Sequence, residues 1–365
     1  MGEPSVPSII EDAMRLCRDG ASSSSTSDIH VEGNEPPWCR VDGMMRAMEL
    51  PPIEPDAIRA FCEAYLGKRE YERLNGSSGA ADGAIQHPAL GSVRIHAFRG
   101  DNGIALSLRL LNGGIPLLAD LGLPPVVASF ADFPHGLVLF TGPTGSGKST
   151  ALAGLINEIN LKYPRHIVTV EDPIEYRHRS HRSLVRQREI GRDVCSYARS
   201  LHGVLRADPD VILIGELRDP EVMSACLQAG ETGHLVFSTL HTSEAAETVQ
   251  RIVGVFEGGR QEQARMQLAQ SLQAIVSMRL IPNAHGHGRR AACEILLNSP
   301  AVRSQLMSAE RCVQIRNTIE TSRKDGMQTL EMDLSRMVAE RLITYEAAVA
   351  ASDYPDQICA TGAFN

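Results

Sequence analysis

Residues 138 to 150 read VLFTGPTGSGKST. The apolar start, Val138-Leu139-Phe140, has the character of a buried parallel strand. It runs into Gly142, four residues (Pro143, Thr144, Gly145, Ser146), then Gly147, Lys148 and Ser149, which is the phosphate-binding spacing GxxxxGK[ST]. The glycines answer a physical requirement: backbone N–H groups must turn inward around phosphate oxygens, and a Cβ would block that approach. Lys148 offers a point charge to terminal phosphates, and Ser149 a hydroxyl to Mg²⁺. From Thr150 to Asn160 the residues Leu152, Leu155, Ile156 and Ile159 recur at helical spacing, so a helix N-terminus faces the anion. With glycine at about 7% of an average chain, the pattern arises by chance in roughly one chain in a hundred of this length. The stretch predicts a nucleotide site and leaves open what the nucleotide is used for.

Composition bounds the rest. A length of 365 residues suggests two or three domains, and 43% hydrophobic with 22% charged residues describes a soluble globular chain. The net charge of −8 argues against broad nonspecific nucleic-acid binding. No apolar stretch reaches the length of a membrane span, and MGEPSVPSII lacks the basic region and apolar core of a secretory signal. Eight scattered cysteines without a CxxC pair read as reduced cytosolic thiols and not as a zinc site.

Upstream of the loop, residues 8 to 18 space their apolar groups as an amphipathic helix, and a polar run, ASSSSTS, follows. Residues 28 to 32 alternate like a strand, and 40 to 43 read as a second strand with a turn. Helical spacing returns over 55 to 74, and GSSGAADG (76 to 83) reads as a flexible loop. In VRIHAFR (93 to 99), Arg94, His96 and Phe98 share the face opposite Val93, Ile95 and Ala97. A further strand covers about 104 to 111, closing a small α+β domain near residue 112, with LNGGIP (111 to 116) as the hinge.

Downstream, strands and helices alternate as in a doubly wound α/β domain, here bounded at 113 to 297. The strand 167 to 170 ends in Glu171-Asp172-Pro173-Ile174-Glu175, acids placed where such folds bind ligands. DVILIGE (210 to 216) is a second strand ending in an acid. The usual aspartate is missing from its end, since Asp210 stands at the other, so Glu216 takes the water-activating role. TGHLVFSTLHT (232 to 242) sets Thr239, His241 and Thr242 at the height of a γ-phosphate, where they could sense bound nucleotide. His234 and His241 flank the strand at opposite ends, which excludes a shared metal. A long helical pattern covers 261 to 281, a last strand 291 to 297, and two or three amphipathic helices 300 to 350, within a helical C-terminal region spanning 298 to 365.

Eight motifs together carry a resemblance: SDIHVE (27 to 32), RVDG (40 to 43), VRIHAFR, VEDPIEY with His178, QREIG (187 to 191), DPDVILIGELRD (208 to 219), TGHLVFSTLHT and GMQTLEMDL (326 to 334). In this order they make the chain similar to the PilT-type pilus-retraction ATPases, within the ATPases of type IV pili and type II and IV secretion systems. The resemblance implies a PAS-like N-terminal domain, a RecA-like ATPase core and a homohexameric ring, with ATP and Mg²⁺ bound between the two domains. It implies that Glu216 is catalytic alongside Lys148, that Glu171, Asp172 and Glu175 serve Mg²⁺ and water, and that His234 and His241 couple nucleotide state to conformation. Arg94 and Arg109 become phosphate contacts from the N-terminal domain. The implied setting is the cytoplasmic side of the inner membrane, against a pilus or secretion platform protein and without nucleic acid. Assembly-type relatives carry a four-cysteine zinc insert that is missing here, which favours retraction. Two departures stand out: Met278 replaces an expected glutamine, and residues 299 to 315 match only loosely the helix that retraction requires beyond hydrolysis. Open alternatives are a secretion-system ATPase, a RecA-like nucleic-acid translocase and a small-molecule kinase. The acidic balance speaks against the translocase, and a second domain placed before the core, where a kinase would insert a lid after it, against the kinase.

Overall fold

The computed structural model describes residues 8–19, 26–41, 44–87, 91–110, 114–286 and 288–359. Most of the ASSSSTS run, the turn at Asp42-Gly43 and the first three residues of the expected hinge lie outside the described residues. The chain divides into two compact units, Met1–Gly114 and Ile115–Asn365.

In the first unit, period-two alternation builds strands β1 (Thr26–Val31), β2 (Trp38–Val41), β3 (Met44–Ala47), β4 (Ala80–His87), β5 (Gly91–Gly100) and β6 (Gly103–Leu110). They form an antiparallel sheet in the order β3-β2-β1-β6-β5-β4. Helices α1 (Ser8–Asp19), α2 (Pro55–Tyr65) and α3 (Lys68–Asn75) supply Ile10, Met14, Ile58, Phe61 and Leu74 to a core shared with Ile29, Val93, Ile95, Leu106 and Leu108 of the sheet. The single helical pattern over 55 to 74 is thus two helices, broken at Leu66-Gly67. The stretch 76 to 83, expected to be a flexible loop, instead becomes strand from Ala80, because β5 offers a paired edge to which even small residues can add.

The second unit is built on a mixed sheet of β7 (Gly136–Thr141), β8 (His166–Glu171), β9 (Leu184–Glu189), β10 (Val211–Ile214), β11 (Leu235–Leu240), β12 (Leu272–Pro282) and β13 (Arg289–Leu297), in the order β13-β12-β7-β11-β10-β8-β9. All neighbours are parallel except the β12–β13 pair at one edge. Helices α4 (Lys148–Lys162), α5 (Tyr197–Val204), α6 (Pro220–Glu231), α7 (Ala245–Gly254) and α8 (Arg260–Ser271) cover it. Four further helices follow: α9 (Pro300–Leu306), α10 (Ile315–Thr321), α11 (Leu330–Ala339) and α12 (Tyr345–Ala351). Val302, Leu306, Ile315 and Ile319 of α9 and α10 join the core on one sheet face, while Leu334, Met337 and Ala348 of α11 and α12 pack on Ile281 and Ala292.

The helical pattern expected over 261 to 281 stops at Ser271, and β12 begins at the next residue. β12 lies between β7 and β13 and is covered on both faces, so Ala274, Ile275 and Val276 form a continuous apolar run. Such a run carries no alternation to separate strand from helix. β7 is buried at all six positions. Each large apolar side chain so buried contributes about 1.5–3 kcal/mol, which anchors the loop that leaves its end. Among the described residues, no helix is long and apolar enough to cross a membrane.

Candidate nucleotide site

The loop from β7 to α4 is shaped by its glycines. Gly142 has φ 136°, and a Cβ there would stand 2.4 Å from the Met278 carbonyl oxygen and 2.7 Å from Ser146 Oγ. Met278 therefore meets the loop through its backbone as well as through an apolar side chain below Gly147, and the departure from glutamine leaves an oily floor under the loop. Ser146 Oγ is buried without a hydrogen-bond partner, a polar atom aimed into a cradle that a Cβ would fill. Both features suit a phosphate. Lys148 is 8% exposed, and its Nζ donates to the carbonyls of Gly142 at 2.7 Å and Pro143 at 2.9 Å. Burial lowers its pKa from the ordinary 10.5, opposed by the charges of Glu216 and Glu175. Ser149 is exposed, and Thr150 shares a 2.9 Å hydrogen bond with the Tyr176 hydroxyl, tying α4 to the acidic segment.

Because β7, β8, β10 and β11 are parallel, their carboxyl ends meet along one edge. Glu216 follows β10, and its Oε2 accepts from Arg218 Nη2 at 2.7 Å and Nε at 2.8 Å, while Oε1 lies 3.3 Å from His241 Nε2. The residue is braced on both sides: Thr239 Oγ1 donates to the Gly215 carbonyl at 2.6 Å, and Leu217 N donates to the Thr239 carbonyl at 3.0 Å. Thr242 shares its hydroxyl with Thr248 at 2.7 Å. The hydroxyls of Thr239 and Thr242 are thus used inside the fold. His241, with a side chain 46% exposed, is the group of that trio presented outward.

Glu171 Oε1 accepts from Thr169 Oγ1 at 2.6 Å and Gln187 Nε2 at 3.1 Å. Loss of water around it pushes its pKa up to about 7, with the neighbouring Glu175 adding to the rise and the two hydrogen bonds resisting it. A carboxyl raised from 4.5 keeps its proton longer in the folded chain, so its stabilising share is complete below pH about 4.5 and is lost as pH rises through about 7. Glu171→Gln lacks this titration. The parent should lose up to about 3 kcal/mol relative to Glu171→Gln between about pH 5 and pH 8, read by denaturant melts of both proteins. A pH-independent difference would show that Glu171 titrates normally.

Of three further expected residues, one sits at the opposite edge of this sheet and two belong to the first unit. The His234 carbonyl accepts from Gly136 N at 3.0 Å, and its Nδ1 lies 3.2 Å from the Ala229 carbonyl, at the amino edge of the sheet. A six-residue strand separates it from His241, roughly 20 Å at strand rise, so His234 does not line the phosphate loop of its own unit. Arg94 and Arg109 belong to the first unit, where β5 and β6 set them directly opposite each other, and Arg109 Nε bonds Asp28 Oδ1 at 2.7 Å.

A family model described as Type II/IV secretion system protein matches residues 103–356. The chain belongs to this family. A twitching motility protein of Neisseria gonorrhoeae is 42% identical over 312 residues, 86% of this chain and 83% of the relative. The type IV pilus retraction ATPase PilT of Pseudomonas aeruginosa is 39% identical over 339 residues, 92% of this chain and 97% of the relative. A crystal structure of the pilus retraction motor PilT with bound ADP matches with a TM-score of 0.84 at 36% identity, covering 94% of this chain and 98% of that one.

In this secretion-family chain, sequence reasoning missed Arg218, Gln187 and Tyr197 as neighbours of the acids. Arg218 was within reach: a basic residue two positions after a strand-ending acid sits beside it on an extended turn. Gln187 and Tyr197 carry no local signal, since Gln187 comes from the neighbouring strand β9 and Tyr197 from the start of helix α5. Among the described residues no three His, Cys, Asp or Glu side chains are placed to cage a metal ion. Mg²⁺ at triphosphate sites keeps several waters and takes one or two protein oxygens besides the phosphates, and the donor set of Ser149, Glu171 and Glu216 fits that.

Proposed function

We propose that this chain is a Mg²⁺-dependent ATP hydrolase that powers retraction of a type IV pilus, working as one subunit of a homohexameric ring. The observation that carries this reading is the convergence of Lys148, Glu216 and His241 at adjoining strand ends: Glu216 lies 3.3 Å from His241 and its charge acts on Lys148. The relatives add the direction of the motor, since two that match over most of this chain are named for twitching motility and pilus retraction. The units are read as a PAS-like domain (1–112), a RecA-like ATPase domain (113–297) and a C-terminal helical region (298–365).

The chemistry follows from the side chains. Backbone N–H groups of Gly145, Gly147, Lys148 and Ser149 at the α4 N-terminus and the Lys148 ammonium hold the phosphates, with Lys148 exchanging loop carbonyls for phosphate oxygens. Ser149, with Glu171 and Glu216 directly or through water, would hold Mg²⁺, which supplies positive charge at the β- and γ-phosphates. Glu216 orients the attacking water and accepts its proton. The new O–P bond forms as the γ-phosphorus leaves the bridging oxygen with ADP. His241, beside Glu216 and exposed, senses which species is bound and couples it to conformation. Arg94 and Arg109 are the N-terminal domain's candidate phosphate contacts, and the ring works on the cytoplasmic side of the inner membrane against a platform protein.

A secretion-motor reading has one observation in its favour, 35% identity over 283 residues to the type II secretion system protein E of Klebsiella pneumoniae, but that match spans 74% of this chain and 54% of the relative, against 92% and 97% for the retraction ATPase. The test is native mass with Mg²⁺-ATP, paired with phosphate release. Six subunits with measurable turnover are expected, whereas a chain that hydrolyses ATP equally well as a monomer at every concentration would remove the ring from the mechanism.

A further inference from the structure

Tyr197 opens helix α5, far in sequence from any phosphate motif, yet its phenol stands at the acidic strand ends. A Cβ built on Gly215 would lie 2.7 Å from the Tyr197 hydroxyl oxygen, 3.5 Å from Glu171 Cα and 3.5 Å from the Val170 carbonyl. The hydroxyl therefore rests over the residue that immediately precedes Glu216, beside the backbone of Glu171. Charged side chains close enough to act on it are Asp172, Arg218, Glu216 and Glu171. The ring is partly buried against Leu201 and the main core of the second unit, so packing alone would be met by a phenylalanine. Among the described residues the hydroxyl makes no hydrogen bond, and it is not among the buried polar atoms sealed from solvent. A phenol is protonated at neutral pH, so the hydroxyl has a proton to donate. Gly215 is required for this arrangement, since any side chain there would displace the hydroxyl.

We propose that Tyr197 is a positioning residue for hydrolysis, whose hydroxyl donates a hydrogen bond to the Glu216 carboxylate and turns it toward the attacking water. Arg218 meets Glu216 at Oε2, and His241 lies beside Oε1. A third donor, arriving across Gly215, fixes the carboxylate oxygen that takes the proton. The balance of the step is unchanged: water loses its proton to Glu216, the O–P bond forms, and ADP leaves with the bridging oxygen. Tyr197 stays protonated throughout and is not consumed.

This inference rests on the assignment of Glu216 as the base, and the test keeps the two apart. Full-length parent, Tyr197→Phe and Glu216→Gln are compared for phosphate release, KM for ATP, ADP affinity and thermal midpoint. Tyr197→Phe should lower kcat by about tenfold or more, with KM, ADP affinity and thermal midpoint unchanged. A parent-like kcat in Tyr197→Phe overturns the proposal, as does a fall in kcat matched by an equal loss of ADP affinity, which would make the hydroxyl a binding group. Parent-like turnover in Glu216→Gln overturns the underlying assignment instead.

Discussion

Lys148→Ala should abolish ATP turnover, with kcat falling by about 10³-fold or more. Phosphoryl transfer asks the protein for positioning and for charge placed where negative charge builds. Lys148 is the one cation carried by the phosphate loop between residues 142 and 150, and it is 8% exposed at the head of α4. Its charge-assisted contacts are each worth about 1.5–3 kcal/mol, so nucleotide affinity should also weaken about ten- to hundred-fold. The fold should survive, because β7 and the apolar side of α4 are buried independently of the ammonium. Phosphate release and ADP titration of the purified variant check both halves. Turnover within a few-fold of the parent would mean that the loop does not hold the reacting phosphates.

Glu216→Gln separates chemistry from binding. The amide keeps the volume and an acceptor oxygen for Arg218, whose side chain is 64% exposed and whose ion pair with Glu216 therefore adds little to stability. What it loses is the ability to take a proton. Turnover should fall by about 10²- to 10⁴-fold, while ADP affinity stays near the parent value because the loop, Lys148 and α4 are intact. Single-turnover phosphate release set beside ADP binding distinguishes this outcome from that of Lys148→Ala. A variant that still turns over would shift the base role to Glu171, which lies in the same row of strand ends.

The phosphate loop was legible because its chemistry is local: glycines, lysine and serine act at fixed spacing along one turn, and the strand and helix beside it are contiguous with it. The acids ending β8 and β10 were legible for a similar reason, since a buried apolar run followed by a carboxylate marks the ligand-binding end of a parallel strand. β12 was hidden by its position between two strands, where burial on both faces removes the alternation that identifies a strand. The row Thr239, His241 and Thr242 read as one sensing patch. In the fold two of its hydroxyls turn inward to brace β10 and α7, leaving His241 as the outward group.

From residue order alone come the class of the core, the phosphate role expected of Lys148, the Mg²⁺ role expected of Ser149 and the candidate base Glu216, because each depends on neighbours within a few positions. The folded chain decided which side chains meet. Parallel strands about 4.8 Å apart carry residues 148, 171, 216 and 241 to one edge and leave His234 at the other. The same sheet sets Tyr197 over Gly215 and Arg218 against Glu216. Such meetings follow from strand order and register, which long-range packing selects and which no local spacing encodes.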